Sequence, residues 1–330
     1  LVAALAGTVR EVTTGAKITG NVTITDTPTE VELQTINNGT TASIQIPAAN
    51  QTFTASASVL AEALTGTVTG PGAAALSGAV TVNNGANTNV AATLLSTIAA
   101  GTGGGVTVSA AVNITGDTSE VIAALDTAGV LATTANIVLS DTPTVGNLQT
   151  LNGKTSGSIK ISNGAITYSG SATVLAAALA GTVTDGSGNP LSGAMTLTGN
   201  PDATQLQTIN NATTGNVIIP NAGITLNGTP AVLVEALTGS VATSGSAKIS
   251  GTVTITTTDP DSAQLKTIND AIDGTIVVPD KTVQLSGTAT ALAAALTGTV
   301  TNSANEKING TVTITGANPT GAELATINNG

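Results

Sequence analysis

Short runs of alternating apolar and polar residues recur along the chain, as in Val22-Thr23-Ile24-Thr25, Val253-Thr254-Ile255-Thr256 and Val312-Thr313-Ile314-Thr315. Period two in β-branched residues predicts strands with Val and Ile inward and Thr outward. A cap-like residue and a proline follow, at Thr27-Pro28, Thr142-Pro143, Asn200-Pro201, Asp259-Pro260 and Asn318-Pro319. Thr, Asn and Asp accept from the free amides of a first helical turn, and Pro suits the first helical position. A short helix is therefore expected at each. It carries pairs such as Leu33 and Ile36 on one face and stops at Asn37-Asn38-Gly39, Asn210-Asn211 or Asn328-Asn329-Gly330, where Asn and Gly tolerate the left-handed conformation. Next come a second strand, such as Ser43-Ile44-Gln45-Ile46, and a third holding Phe53, Ile114, Tyr168, Leu226 and Leu285. These five are expected to form one inward column. An Ala-rich helical turn, closed at Gly66, Gly181, Gly239 and Gly298, completes the cycle.

The cycle repeats. Leu33, Leu95, Leu148, Leu206, Leu265 and Leu324 are followed three residues later by Ile36, Ile98, Leu151, Ile209, Ile268 and Ile327. An Ala-Leu-x-x-Gly-like step places Leu5, Leu64, Leu125, Leu179, Leu237 and Leu296 between them. Interleaved, the two series are 26 to 34 residues apart, a half-repeat of about 29 within a double repeat of about 59. Periods of this size belong to arrays in which each unit buries its apolar face against its neighbours. The expected fold is mainly β: a parallel β-solenoid of about eleven coils with short helical corners. Residues 1–330 read as one continuous array, uncapped at both ends, with 71–105 the most irregular stretch. Helices want about 8–10 Å between axes while strands sit about 4.8 Å apart, so the corners must splay or be barely helical.

Composition sharpens this. Charged residues make up 8% and aromatics 1%, so the core must be thin and built of Val, Ile, Leu and Ala. A net charge of -11 repels nucleic acid. No apolar run is long enough for a membrane span. The chain has neither His nor Cys, which removes Ser-His-Asp and Cys-His catalysis and imidazole or thiolate metal ligation. No catalytic constellation and no cofactor site is expected. The acidic cluster Asp259, Asp261, Asp270 and Asp273, with Asp280 nearby, is where a hard cation such as calcium would sit. Recurring Asn37, Asn152, Asn210, Asn269 and Asn328 suggest ladder or helix-stop roles, and outward Thr-x-Thr positions allow an ice-binding face.

The phrases Asp-Thr-Pro-Thr-x-x-x-Leu-Gln-Thr-(Ile/Leu)-Asn and Ala-Thr-(Ala/Val)-Leu-Ala-Ala-Ala-Leu-(Thr/Ala)-Gly resemble the degenerate repeats of very large secreted bacterial surface proteins, especially those of cyanobacteria and other aquatic bacteria. The resemblance covers the whole chain and implies an extracellular or cell-surface location, with the repeats serving as stalk, sheath, fibre or adhesive scaffold. The leading expectation is a structural protein that forms or extends an extracellular filament or surface layer. Its partner would be itself, by end-to-end stacking or within a longer chain, with surface glycans as a further contact. The alternative is a binding module, either an ice-binding face or an adhesin stalk.

Overall fold

The computed structural model describes residues 16–109, 111–127, 129–256 and 259–330. The anchor Leu5 and the opening Leu-Val-Ala-Ala-Leu-Ala-Gly lie outside them. The chain divides into two compact units, Leu1–Pro143 with Thr150–Ser162, and Thr144–Gln149 with Asn163–Gly330.

Helix and strand alternate throughout. Among the described residues there are eleven α-helices, of seven to ten residues each, and the strands fall into six small parallel sheets. This corrects the expectation of a mainly β chain: the fold is alternating α/β, the corners are true helices, and the strands do not stack coil upon coil as a β-solenoid requires. The second unit shows the rule. Tyr168–Gly170 and Met195–Leu197, which precede helices, pair in parallel, and Val217–Ile219 and Val241–Thr243, which follow helices, continue the same sheet. One repeat later Leu226–Gly228, Thr252–Ile255, Thr275–Val278 and Thr299–Asn302 do the same. Each of these two repeats thus builds one four-stranded sheet and two helices. Four strands at about 4.8 Å and two helices at about 9–10 Å both occupy roughly 19 Å. Placing strands from both sides of the helices in one sheet removes the mismatch in spacing, and helices adjacent in sequence pack together from Ala172–Leu179 to Gly321–Asn329.

In the first unit Phe53–Ala55, Val80–Val82, Val106–Val108 and Val130–Leu131 follow the same order. A second sheet there opens with three strands that precede helices, Asn89–Ala91, Asn113–Gly116 and Asn136–Leu139, before Ile159–Ile161. Asn89–Ala91 is the extra strand. It comes from the 71–105 stretch, where one half-repeat supplies two strands ahead of its helix.

The longer helices begin two residues later than the proline signal suggests. Their N-caps are Thr29, Asp202, Asp261 and Thr320, each closing a capping box with Glu32, Gln205, Gln264 or Glu323. Reciprocal bonding satisfies two free donors at once, so the box outranks the proline, which sits just ahead of it. The core is a thin layer of Val, Ile, Leu and Ala between helices and sheets. Close approach of successive strands is built on glycine: a Cβ on Gly251 would stand 2.0 Å from the Ile224 carbonyl oxygen, and one on Gly274 would stand 1.9 Å from that of Gly251.

Candidate functional surface

The anchor leucines Leu33, Leu95, Leu148, Leu206 and Leu265 are fully buried, as are Leu64, Leu125, Leu179, Leu237 and Leu296 on the Ala-rich helices. Leu324, in the same position as the first series, is 45% exposed. Phe53, Ile114, Tyr168, Leu226 and Leu285 are buried but do not form one ladder. Phe53, Tyr168, Leu226 and Leu285 each start a separate sheet, opposite Val80, Met195, Val253 and Val312, while Ile114 lies between Val90 and Ile137. The 59-residue period repeats the sheet, not the strand, so residues one period apart lie in different sheets.

Three of the recurring asparagines, Asn37, Asn210 and Asn269, are clamps. Asn37 Nδ2 donates to the carbonyls of Glu62 and Thr65, Asn210 to those of Glu235 and Thr238, and Asn269 to those of Ala294 and Thr297. Each amide thereby occupies carbonyls that the next helix leaves free at its C-terminus. A carboxylate completes two of the clamps. Glu62 accepts from Gln34 and Asn38, and Glu235 from Gln207 and Asn211. These amides hold both carboxyls below the ordinary glutamate range, Asn38 more than Gln34 and Asn211 more than Gln207. Lysines do related work elsewhere: Lys248 Nζ donates to the Asp270 carbonyl and Lys307 Nζ to that of Asn329, cations placed at helix C-termini.

A true side-chain ladder lies where the sequence pattern did not point. Asn113 Nδ2 donates to Asn89 Oδ1, Asn136 Nδ2 donates to Asn113 Oδ1, and Ser158 donates through amide and hydroxyl to Asn136 Oδ1. The available signal was an asparagine just before the apolar strand residues Val90, Ile114 and Ile137.

The acidic residues of the suggested cation site serve separate local purposes. Asp261 caps the helix Ser262–Ala271, Asp270 pairs with Lys266, the Asp273 amide donates to the Ile249 carbonyl, and Asp259 is exposed. Among the described residues no three such side chains are grouped to hold a metal ion. Asp280 accepts from the Thr282 amide, which keeps its carboxyl below the usual range. The outward threonines make short rows: Thr54, Thr81 and Thr107 are in register on neighbouring strands, and Leu131 occupies the next position.

Open grooves accompany the clamps. One of about 310 Å³ is lined by Asn38, Thr40, Thr41 and Glu62, and its counterpart of about 480 Å³ three repeats on by Asn211, Thr213, Thr214 and Glu235. No helix among the described residues is long and apolar enough to cross a membrane. Compared with models of known protein families and with curated proteins, the chain matches none.

Proposed function

We propose that this protein is a structural repeat scaffold that forms or extends an extracellular filament, sheath or surface layer, by end-to-end stacking of copies or as part of a longer chain. The observation that carries the reading is the clamp. Asn37, Asn210 and Asn269 perform the same task in three repeats, fastening one half-repeat to the next. These recurring polar groups hold neighbouring half-repeats together, as an array stabilised by its nearest-neighbour contacts requires.

Stretching single molecules held near Lys17 and Asn329 tests this. A load-bearing array releases its repeats in succession, each extending by roughly 200 Å for about 58 residues. Unravelling at forces no greater than those that straighten an unstructured chain would sink the proposal. Ice binding is the second reading, favoured by the row Thr54, Thr81 and Thr107. It requires thermal hysteresis that disappears in Thr81→Tyr.

A further inference from the structure

We propose that Asn163 is a site of spontaneous covalent modification, deamidated through a cyclic imide formed with Gly164, and that the turn it occupies is where the array ages first. The inference goes beyond the scaffold reading and does not depend on it. Asn precedes Gly at Asn38, Asn84, Asn152, Asn163, Asn227, Asn309 and Asn329. Glycine obstructs ring closure least, because it has no Cβ and its backbone turns freely. Closure also requires the side-chain carbonyl carbon to lie over the next backbone amide, and that amide to be unbound. Asn38 and Asn152 lie in helices Glu30–Gly39 and Val145–Asn152, and Asn227 in strand Leu226–Gly228, where a regular main chain holds the side chain and the next amide apart. The Gly310 amide donates to the Lys281 carbonyl and the Gly330 amide to that of Thr326. Asn84 Oδ1 is turned to the Ala57 amide, at the start of helix Ala57–Leu64.

Asn163 is the reverse case. It is exposed, in the turn between strands Ile159–Ile161 and Tyr168–Gly170. Its Oδ1 accepts from the Ala165 amide at 3.0 Å, which folds the side chain back over Gly164, and the Gly164 amide has no acceptor among the described residues. The same bond favours attack, since the Ala165 N–H points at the oxygen on which negative charge develops. Hydroxide takes the Gly164 amide proton and the nitrogen attacks Asn163 Cγ. The Cγ–Nδ2 bond then breaks, and Nδ2 leaves as ammonia on taking a proton from water, which returns the hydroxide. A further water opens the ring. Addition at Cγ gives aspartate, and addition at the main-chain carbonyl carbon gives isoaspartate, with Gly164 now linked through the side chain.

Two later repeats hold the same turn with a different neighbour. Asn221 Oδ1 accepts from the Gly223 amide and Asp280 Oδ1 from that of Thr282, with Ala222 and Lys281 in the place of Gly164. The carbonyls of Gly164, Ala222 and Lys281 each accept from two amides of a following loop, those of Ser192 and Gly193, Ser250 and Gly251, or Asn309 and Gly310. Only the repeat at 163 therefore combines the folded-back side chain with glycine after it. Asp280 shows that the turn accommodates aspartate. Isoaspartate instead adds a methylene to the main chain ahead of Gly164 and draws its carbonyl away from Ser192 and Gly193, which loosens the contact between the two loops.

Peptide mapping by mass spectrometry tests the proposal on the 330-residue chain held in warm, mildly alkaline buffer, beside the same chain in urea and the variant Ala222→Gly. In the folded chain Asn163 is expected to convert first, at least about tenfold faster than Asn221 or Asn309, because placement of the reacting atoms governs the rate. In urea Asn38, Asn163 and Asn309 should converge on similar rates, since each then has the same glycine neighbour and no fixed geometry. Ala222→Gly, at an exposed turn, should bring Asn221 up to the rate of Asn163. Hydrogen exchange at Ser192 and Gly193 should accelerate in the isoaspartate fraction, and unchanged exchange there would overturn the loosening. Conversion led by another asparagine, an Asn163 no faster than Asn309 in the folded chain, or an Asn221 unmoved by Ala222→Gly while the circular dichroism spectrum is unchanged would overturn the site itself. None of these results bears on the stretching experiment, which judges the scaffold reading separately.

Discussion

The stretch 71–105 and the regular repeats between 163 and 302 solve the same packing problem in different ways. In the regular repeats each half-repeat gives one strand before its helix and one after, and each sheet closes at four. In 71–105 the spacing between anchors reaches its maximum of 34 residues, and the additional length becomes the strand Asn89–Ala91. Helix Ala92–Ala100 then starts at Ala91 without a side-chain cap, and Ala99 stands where the clamps of other repeats have asparagine. Instead the Asn89–Asn113–Asn136 ladder ties the sheet together. Irregularity in sequence is therefore not looseness in structure. Inserted residues are absorbed as an extra strand, and the lost cap and clamp are replaced by side-chain amides hydrogen-bonded along the sheet.

If both regions depend on the same close approach of backbones, glycine should be equally intolerant of change in each. A Cβ on Gly104 would stand 2.1 Å from the Gly78 carbonyl oxygen, much as on Gly251 it would stand 2.0 Å from that of Ile224. Gly104→Ala and Gly251→Ala are each expected to cost about 3 kcal/mol, read as a fall in the urea midpoint. A mild effect at Gly104 alone would show that the irregular stretch does give way. Next in size, Asn113→Ala should cost about 1–2 kcal/mol, because it leaves the half-buried side-chain amide of Asn136 without its acceptor, while the exposed Asn89 oxygen turns to water. Thr252 occupies the equivalent place in the regular sheet, and Thr252→Ala should stay within about 0.5 kcal/mol. Equal costs at the two sites would remove the ladder as the device that compensates for irregularity.

A smaller effect, of opposite sign, is expected at the start of the regular region. Tyr168 is buried and its hydroxyl has no hydrogen-bond partner, while Leu226 and Leu285 fill the same position in later repeats. Burial alone pushes the phenol up to about 12. Tyr168→Phe should stabilise the protein by about 1 kcal/mol in urea unfolding, since it removes an unpaired polar atom without changing the packing of the ring. Destabilisation would mean that the hydroxyl is satisfied in solution.

How much of this was legible beforehand depended on the range of the interaction. Helix stops at Asn37-Asn38 and Asn210-Asn211, and buried anchors such as Leu33 and Leu206, follow from local rules of propensity and periodicity. Capping boxes such as Thr29–Glu32 were equally local, but the prolines one residue upstream drew the helix start toward themselves. Sheet membership was another matter. Nothing in the run around Tyr168 distinguishes a strand that opens a new sheet from one that continues an old one, because the choice is made by the spacing of helices beyond it. The clamps show the same limit: Asn210 is visible as a repeat, but its acceptors at Glu235 and Thr238 lie a half-repeat away and are backbone atoms that carry no sequence signal.

The gentlest test uses pH to separate the clamps themselves. Glu62 and Glu235 have depressed carboxyl pKa values in the folded protein because amide donors favour the ionised form. Such a group contributes stability that is fully present above its unfolded value of about 4.3 and is lost as pH falls through the lower folded value. The Asn37 and Asn210 clamps should therefore loosen as the solution is acidified below about pH 4.3, whereas the Asn269 clamp, which has Ala294 where Glu235 stands one repeat earlier, lacks that contribution. Hydrogen exchange at helices Ala57–Leu64 and Pro230–Leu237 should accelerate more on acidification than at Ala289–Ala295. Glu235→Gln should flatten the response of Pro230–Leu237 alone, because the amide can still accept from Asn211 but no longer titrates. An equal response in all three helices would assign the acid sensitivity to the net charge of the array instead of to the two glutamates.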